Sequence, residues 1–133
     1  MQPNSSNQWL ISSNSSKYNI NGAFAAYQTI TWGLTIEVDV DDLIYIYVSA
    51  PESKIKYRCV VDRVNVPATE KIGTEFWLKP IDPNRKLINI RLESLLDDDR
   101  LSLHSLIDGG LIKSAPQGPR KVPDELEQLL SSI

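Results

Sequence analysis

The chain has one cysteine, Cys59, and one histidine, His104, in 133 residues. A lone thiol excludes an internal disulfide framework and a cysteine-based zinc knuckle, and a lone imidazole leaves little for a histidine-rich metal site. Long hydrophobic runs are missing too, since no stretch approaches the ~18 apolar residues of a spanning helix. The opening Met1-Gln-Pro-Asn-Ser-Ser has neither the basic nor the apolar region of a secretory signal. These absences lead to the expectation of a cytoplasmic protein with no membrane partner. A basic excess is also lacking: Lys and Arg number 14 against 17 Asp and Glu, for a net charge of −3. Phosphate contacts usually demand a basic balance, so tight non-specific binding to nucleic acid is not expected, although a local basic surface is compatible with these numbers. Finally, there is no Gly-rich phosphate loop, no nucleophile elbow and no His/Cys metal spacing. The chain is therefore expected not to be an enzyme and to need no metal or other cofactor. His104 reads as a packing or surface residue and Cys59, on the apolar face of a strand, as inert core. The acidic runs Asp39/Asp41/Asp42 and Asp97–Asp99 read as turns and solvated loops rather than magnesium sites.

What is present is ordinary for a globular fold: 41% hydrophobic and 23% charged residues. The length suits one domain, with residues 1–7 as a flexible N-terminus and 8–133 as the folded unit. Its strongest local signal is Leu43–Val48, Leu-Ile-Tyr-Ile-Tyr-Val, preceded by the acidic pair Asp41-Asp42 and followed by Pro51. Ile44, Ile46 and Val48 fall on one face and Leu43, Tyr45, Tyr47 and Ser49 on the other, so neither face belongs in water and a central strand is predicted. The chain turns at Ala50–Ser53 and returns over Lys54–Val64, where Ile55, Tyr57, Cys59 and Val61 alternate with Lys56, Arg58 and Asp62. A further strand is predicted over Gln8–Ser12, others over Glu75–Leu78 and Lys86–Leu92, while Thr29–Trp32 and Thr35–Val38 are β-prone and fit a strand or an extended arm. Helices are predicted after Asn19 (stripe Ile20, Phe24, Tyr27), after Ser102 over Leu103–Asp108 with Gly109-Gly110 behind it, and from Pro123 as first helical residue (stripe Leu126, Leu129, Leu130, Ile133). Short strands with three short helices suggest a mixed, partly closed β-barrel.

Two tryptophans flank the central hairpin. If Trp32 and Trp77 face each other, they form a slot for a flat ring, with Ser13 and Asn14 near enough to read its edge; stacking on an aromatic is worth ~1–3 kcal/mol per base. The alternative is that both indoles are plain core.

The series Trp-Leu-Ile-Ser-Ser-Asn (9–14), Ile-Asn-Gly-Ala-Phe (20–24) and Ile-Thr-Trp (30–32) resembles the start of an EVE domain. The resemblance continues through Asp-Asp-Leu-Ile-Tyr-Ile-Tyr-Val-Ser-Ala-Pro (41–51), Ile-Lys-Tyr-Arg-Cys-Val-Val (55–61) and Gln-Gly-Pro-Arg-Lys-Val (117–122). It implies an α+β fold, the PUA-like mixed β pseudo-barrel with short flanking helices that EVE domains share with YTH readers of methylated adenine. In those relatives tryptophans clasp a methylated base, and Trp32 and Trp77 stand at the matching positions. The resemblance further implies edge reading by Ser13 and Asn14, with Ser49 and Gln117 on the rim, and phosphate contact through Arg120. Lys54, Lys56 and Arg58 share the polar face of one strand in this reading and could add, with Lys121, a modest basic patch; an ordinary solvated face fits them equally. The implied partner is nucleic acid carrying a modified, flipped base, cytosine or adenine, in DNA rather than RNA, with a nuclease as partner or fused domain in modification-dependent restriction. An RNA-binding PUA-like module, or a protein-interaction module with buried tryptophans, are the alternatives.

Overall fold

A computed structural model describes residues 7–133; residues 1–6, expected to be flexible, lie outside the described residues. In chain order the elements are β1 (Gln8–Ser13), α1 (Ile20–Ala26), β2 (Thr29–Leu34), β3 (Leu43–Val48), β4 (Lys54–Arg63), β5 (Lys86–Leu95), α2 (Leu103–Asp108), β6 (Arg120–Lys121) and α3 (Asp124–Ser131). The six strands form one sheet in the order β2-β5-β4-β3-β1-β6. β3 runs parallel to β1 and antiparallel to β4.

The alternation within β3 dictates two layers. Ile44, Ile46 and Val48 enter one core with Ile11, Ile30, Cys59, Val61 and Ile90, and α1 covers it with Ile20 and Ala23. Tyr45 and Tyr47 enter the other with Leu10, and α2 and α3 cover that one with Leu106, Leu126 and Leu130. The helix signals work as expected: Asn19 accepts from the Gly22 N–H at 3.0 Å, and Ser102 from the Ser105 N–H at 3.1 Å. Pro123 is the capping position of α3 rather than its first helical residue, with Asp124 and Glu125 in the first turn. Gly22, which costs helix propensity, is needed for packing, because a Cβ there would lie 2.9 Å from the Phe76 ring and 2.5 Å from the Asn19 side chain.

β1 and β2 are separated by three strands in the sheet, yet Ile11 of β1 and Trp32 and Leu34 of β2 belong to one core cluster. The sheet must therefore roll, which makes it the open pseudo-barrel of the expected fold class. Bulges assist the curvature. Ile46 opposes Tyr57 while Tyr47 opposes Ile55, so Lys56 is an extra residue in β4.

That bulge overturns the expected face pattern. Ile55 faces the α2/α3 core and Tyr57 the α1 core. Lys54, Lys56 and Arg58 consequently do not share a polar face. Lys56 Nζ is held by Glu52 Oε1 at 2.6 Å and by Asn21 Oδ1 at 3.0 Å on the α1 side. Arg58 donates from Nε to the Tyr45 hydroxyl at 3.1 Å and from Nη2 to the Leu130 carbonyl at 2.6 Å, on the α3 side. One predicted strand is also absent, and one β-prone stretch lies outside the sheet. Thr35–Val38 leaves the sheet after Leu34, and Glu75–Leu78 is instead a 3-10 turn at Thr74–Phe76, followed by an isolated bridge between Trp77 and Tyr18.

At the start of the chain Asp42 acts as a buried acceptor. Its carboxylate receives the Asn7 N–H (3.1 Å), the Trp9 indole N–H (3.0 Å) and the Asp39 N–H (3.0 Å). Asn7, expected in the flexible tail, is thereby tied to the sheet. Replacing Asp42 with Ala orphans these donors, and an unsatisfied buried group costs ~1–3 kcal/mol. Urea unfolding of Asp42→Ala is expected to show a loss of about 3 kcal/mol, and Asp42→Asn a smaller one, because it keeps an acceptor oxygen. An unchanged midpoint for Asp42→Ala would contradict this role.

Candidate functional site

Where the roll brings β1 opposite β2 the strands do not hydrogen bond, and the seam between them is a cleft of about 890 Å³. That is within the range of small-ligand sites. Ile11, Ser12 and Asn14 line one side, and Trp32, Gly33 and Leu34 the other. The rim is made by Ser49-Ala50 from the hairpin turn, Gln117–Pro119 from the segment before β6, and Pro80–Asp82 with Arg85 from the loop before β5.

The loop carrying Trp77 is fixed at both ends. Thr31 of β2 donates its backbone N–H to the Ile72 carbonyl (3.1 Å) and accepts the Ile72 N–H on its hydroxyl (2.8 Å), while that hydroxyl donates to Asn89 Oδ1 (2.7 Å). At the other end the Asn19 N–H donates to the Phe76 carbonyl (2.9 Å) and the Leu78 N–H to the Lys17 carbonyl (2.8 Å). Trp77 is thus brought against Tyr18, with ring centroids 4.3 Å apart, and Tyr18 meets Trp32 edge-on at 5.2 Å. Burial, then the nearby Glu75 charge, push the Tyr18 hydroxyl up from its ordinary range, so it stays a neutral phenol.

The two indoles do not form an open slot. Their centroids are 5.6 Å apart and their planes tilted by 44°. A flat ring sandwiched between parallel indoles needs roughly 7 Å, twice the ~3.5 Å contact distance. Trp32, Tyr18 and Trp77 instead make one continuous aromatic wall. Trp32 is only 7% exposed and Trp77 half-buried, with its indole N–H buried and without a hydrogen-bond partner. This corrects the expected face-to-face clasp: the indoles touch because the Thr31 and Lys17 anchors hold Trp77 down onto Tyr18.

Of the residues singled out from the sequence, Asn14, Trp32, Ser49, Trp77 and Gln117 all lie on the cleft. Asn14 spends its Oδ1 on Ser16, at 2.9 Å to the N–H and 2.7 Å to the hydroxyl, leaving its amide nitrogen without a partner among the described residues. Ser49 Oγ accepts the Ser15 N–H at 3.0 Å and so clasps two turns together. Ser13 is not on the cleft wall; its hydroxyl is buried with no hydrogen-bond partner among the described residues, and the half-buried Ser12 lines the cleft instead. Arg120 and Lys121 follow the rim segment on exposed β6, where Lys121 Nζ lies 5.6 Å from the centre of the Trp9 ring. Lys54 and Lys56 do not line the cleft.

Sequence reasoning missed Lys17, Tyr18 and Arg85. The first two follow a polar cluster read only as a turn, and Arg85 lies in a proline-punctuated loop read as a connector. Among the described residues no group of three or more His, Cys, Asp or Glu side chains is placed to hold a metal. His104 is exposed and pairs with Asp108 Oδ2 at 3.0 Å. Cys59 is fully buried, and that burial pushes its thiol up. No helix among the described residues is long and apolar enough to cross a membrane.

No protein-family model matches the chain, and no curated protein is significantly similar to it. Solved structures are. ASCH from Zymomonas mobilis is similar with a TM-score of 0.59 at 12% identity, over 96% of this chain and 95% of that one. Rpa0253 from Rhodopseudomonas palustris gives 0.62 at 15% identity, over 95% and 91%. Atu2648 from Agrobacterium tumefaciens gives 0.61 at 14%, over 96% and 92%. At such identities the likeness concerns the fold, which is PUA-like and mixed α+β.

Gly33 sets how closely the rim loop approaches β2. A Cβ there would lie 3.0 Å from both Arg85 Cβ and Ile81 Cγ2. Gly33→Ala is therefore expected to move the 81–85 loop while sparing the sheet. Amide chemical-shift changes should concentrate in that loop and β2, and changes spread through β3 and β4 would contradict the assignment.

Proposed function

We propose that the cleft seats one unpaired or extruded nucleobase of a nucleic acid, and that the protein is a binding module with no catalytic step. The supporting observation is the aromatic wall of Tyr18, Trp32 and Trp77 at an open seam, with the amides of Asn14 and Gln117 beside it. A base has two needs, a π-face to stack on and edge partners that hydrogen bond, and both are met here by side chains from separate turns. The base stacks on the cleft-facing side of the wall, chiefly on the half-buried Trp77, rather than between the indoles. Asn14, with a free amide nitrogen, donates to a ring acceptor.

Magnitudes limit what such a site discriminates. Stacking supplies ~1–3 kcal/mol per base, and extruding a paired base costs a few kcal/mol. Single-stranded or mismatched substrates are accordingly favoured over intact duplex. The finer form of the proposal is an EVE-type reading of a modified cytosine or adenine in DNA. A cleft of about 890 Å³ leaves space for a ring substituent, which supports it. A methyl group filling an apolar corner adds ~0.8 kcal/mol, about fourfold in affinity, so sharper discrimination must come from hydrogen bonds at the rim. The contact between the two indoles favours a second reading, in which the aromatic cluster is only core and the rim docks a protein.

Fluorescence anisotropy with oligonucleotides of one sequence separates these readings: unmodified DNA, DNA with one modified base, RNA and duplex DNA. The proposal predicts tighter binding to single strands than to duplex, a further gain with a modified base in DNA, and roughly tenfold weakening by Trp77→Ala with circular dichroism unchanged. Binding to none of the oligonucleotides, or affinity indifferent to Trp77→Ala, supports the second reading instead.

A further inference from the structure

The chain is acidic overall, and its cations are unevenly committed. Lys56, Arg63, Lys86, Arg91 and Arg100 each stand within 4.0 Å of a carboxylate, and Arg58 is spent on Tyr45 and the end of α3. Of the cations outside any ion pair among the described residues, which also include Lys54, Lys71, Lys79, Lys113, Arg120 and Lys121, only Lys17 and Arg85 line the cleft. Both are exposed. The acid on the same rim is Asp82, whose Oδ1 accepts the Asn84 N–H at 2.9 Å.

The two cations are also positioned by fixed backbone. The Lys17 carbonyl accepts the Leu78 N–H at 2.8 Å and the Lys79 N–H at 3.3 Å, joining the turn before α1 to the loop that carries Arg85. The stem of Arg85 lies against Gly33, next in sequence to Trp32, and Lys17 precedes Tyr18. Each cation is therefore tied to one member of the aromatic wall.

We infer that Lys17 and Arg85 are the phosphate-contacting residues of the cleft, and that its ligand is an oligonucleotide strand rather than a free nucleoside. This rests on the base-binding reading above and adds the chemical class of the ligand to it. It also moves the phosphate contact away from Lys54 and Lys56, which do not line the cleft. A base on the wall brings its flanking phosphates to the rim, where two unpaired cations meet them. A nucleoside leaves both cations without a partner.

Counterion release makes this measurable, because each phosphate contact in a single-stranded complex contributes ~0.7 to the slope of log affinity against log salt. The experiment is a salt titration of a labelled single-stranded 12-mer, as DNA and as RNA, with wild type, Lys17→Ala, Arg85→Ala, the double variant and Trp32→Phe. Arg63→Ala, which loses the same charge from the Glu70 pair, serves as the control. Each cleft variant should flatten the slope by ~0.7 and the double variant by ~1.4, with Arg63→Ala unchanged. A mononucleoside competitor should displace the 12-mer only weakly. Unchanged slopes with affinity still sensitive to Trp32→Phe overturn the phosphate assignment and leave the base site standing. Flattened slopes with no sensitivity to Trp32→Phe uphold it and overturn the base site. No binding by the wild type overturns both.

Discussion

A strand that is apolar on both faces cannot lie at a surface, and β3 imposes that constraint on everything around it. Ile44, Ile46 and Val48 demand cover on one side, and Tyr45 and Tyr47 on the other. One short helix on the first face and two on the second provide it. That arrangement leaves a sheet that rolls without closing, since β1 and β2 share a core but no hydrogen-bonded ladder. A loop and three aromatic rings wall the seam, where hydrogen bonds between β1 and β2 are missing.

The position of the candidate site follows from that incomplete closure. Polar turns converge on the seam because β1 and the β3–β4 hairpin both end there, delivering Asn14 and Ser49. Thr31 then ties the loop before Trp77 to β2 with a pair of hydrogen bonds to Ile72. The aromatic wall completes the first core and at the same time presents a face to the cleft. Such double use explains why Trp32 is almost fully buried and yet lines a site. It also separates chemistry from charge: the wall is neutral, and the unpaired cations stand at its edge.

Much of the fold was legible because it depends on local alternation and caps. The two faces of β3, the stripe of α3 and the capping roles of Asn19 and Ser102 are all written in neighbouring residues. What could not be read was non-local or geometrically irregular. A bulge at Lys56 leaves no mark in composition, and it reversed the face of Ile55 and separated Lys54, Lys56 and Arg58. Glu75-Phe-Trp-Leu has strand-forming residues, but anchoring at Ile72, Phe76 and Leu78 holds it as a turn. Five of the residues picked for base contact line the cleft, where β2, the end of β1, the hairpin turn and the loops carrying Trp77 and Gln117 meet. Ser13 does not: it pairs with Val48 at the end of β1 and is buried on the same face as Ile11, beneath the turn that follows. Lys17 and Arg85 carry no motif at all; only the rolled sheet brings their loops together.

The three indole N–H groups offer the most direct test of the central claim, that the seam is where a nucleic-acid base sits. Trp9 is bonded to Asp42 at 3.0 Å and does not line the cleft, so its signal is an internal reference. In a 15N-labelled sample titrated with a single-stranded oligonucleotide, the Trp32 and Trp77 indole resonances should shift together along one binding curve while that of Trp9 stays in place. Saturable binding that leaves Trp32 and Trp77 unmoved would contradict the account.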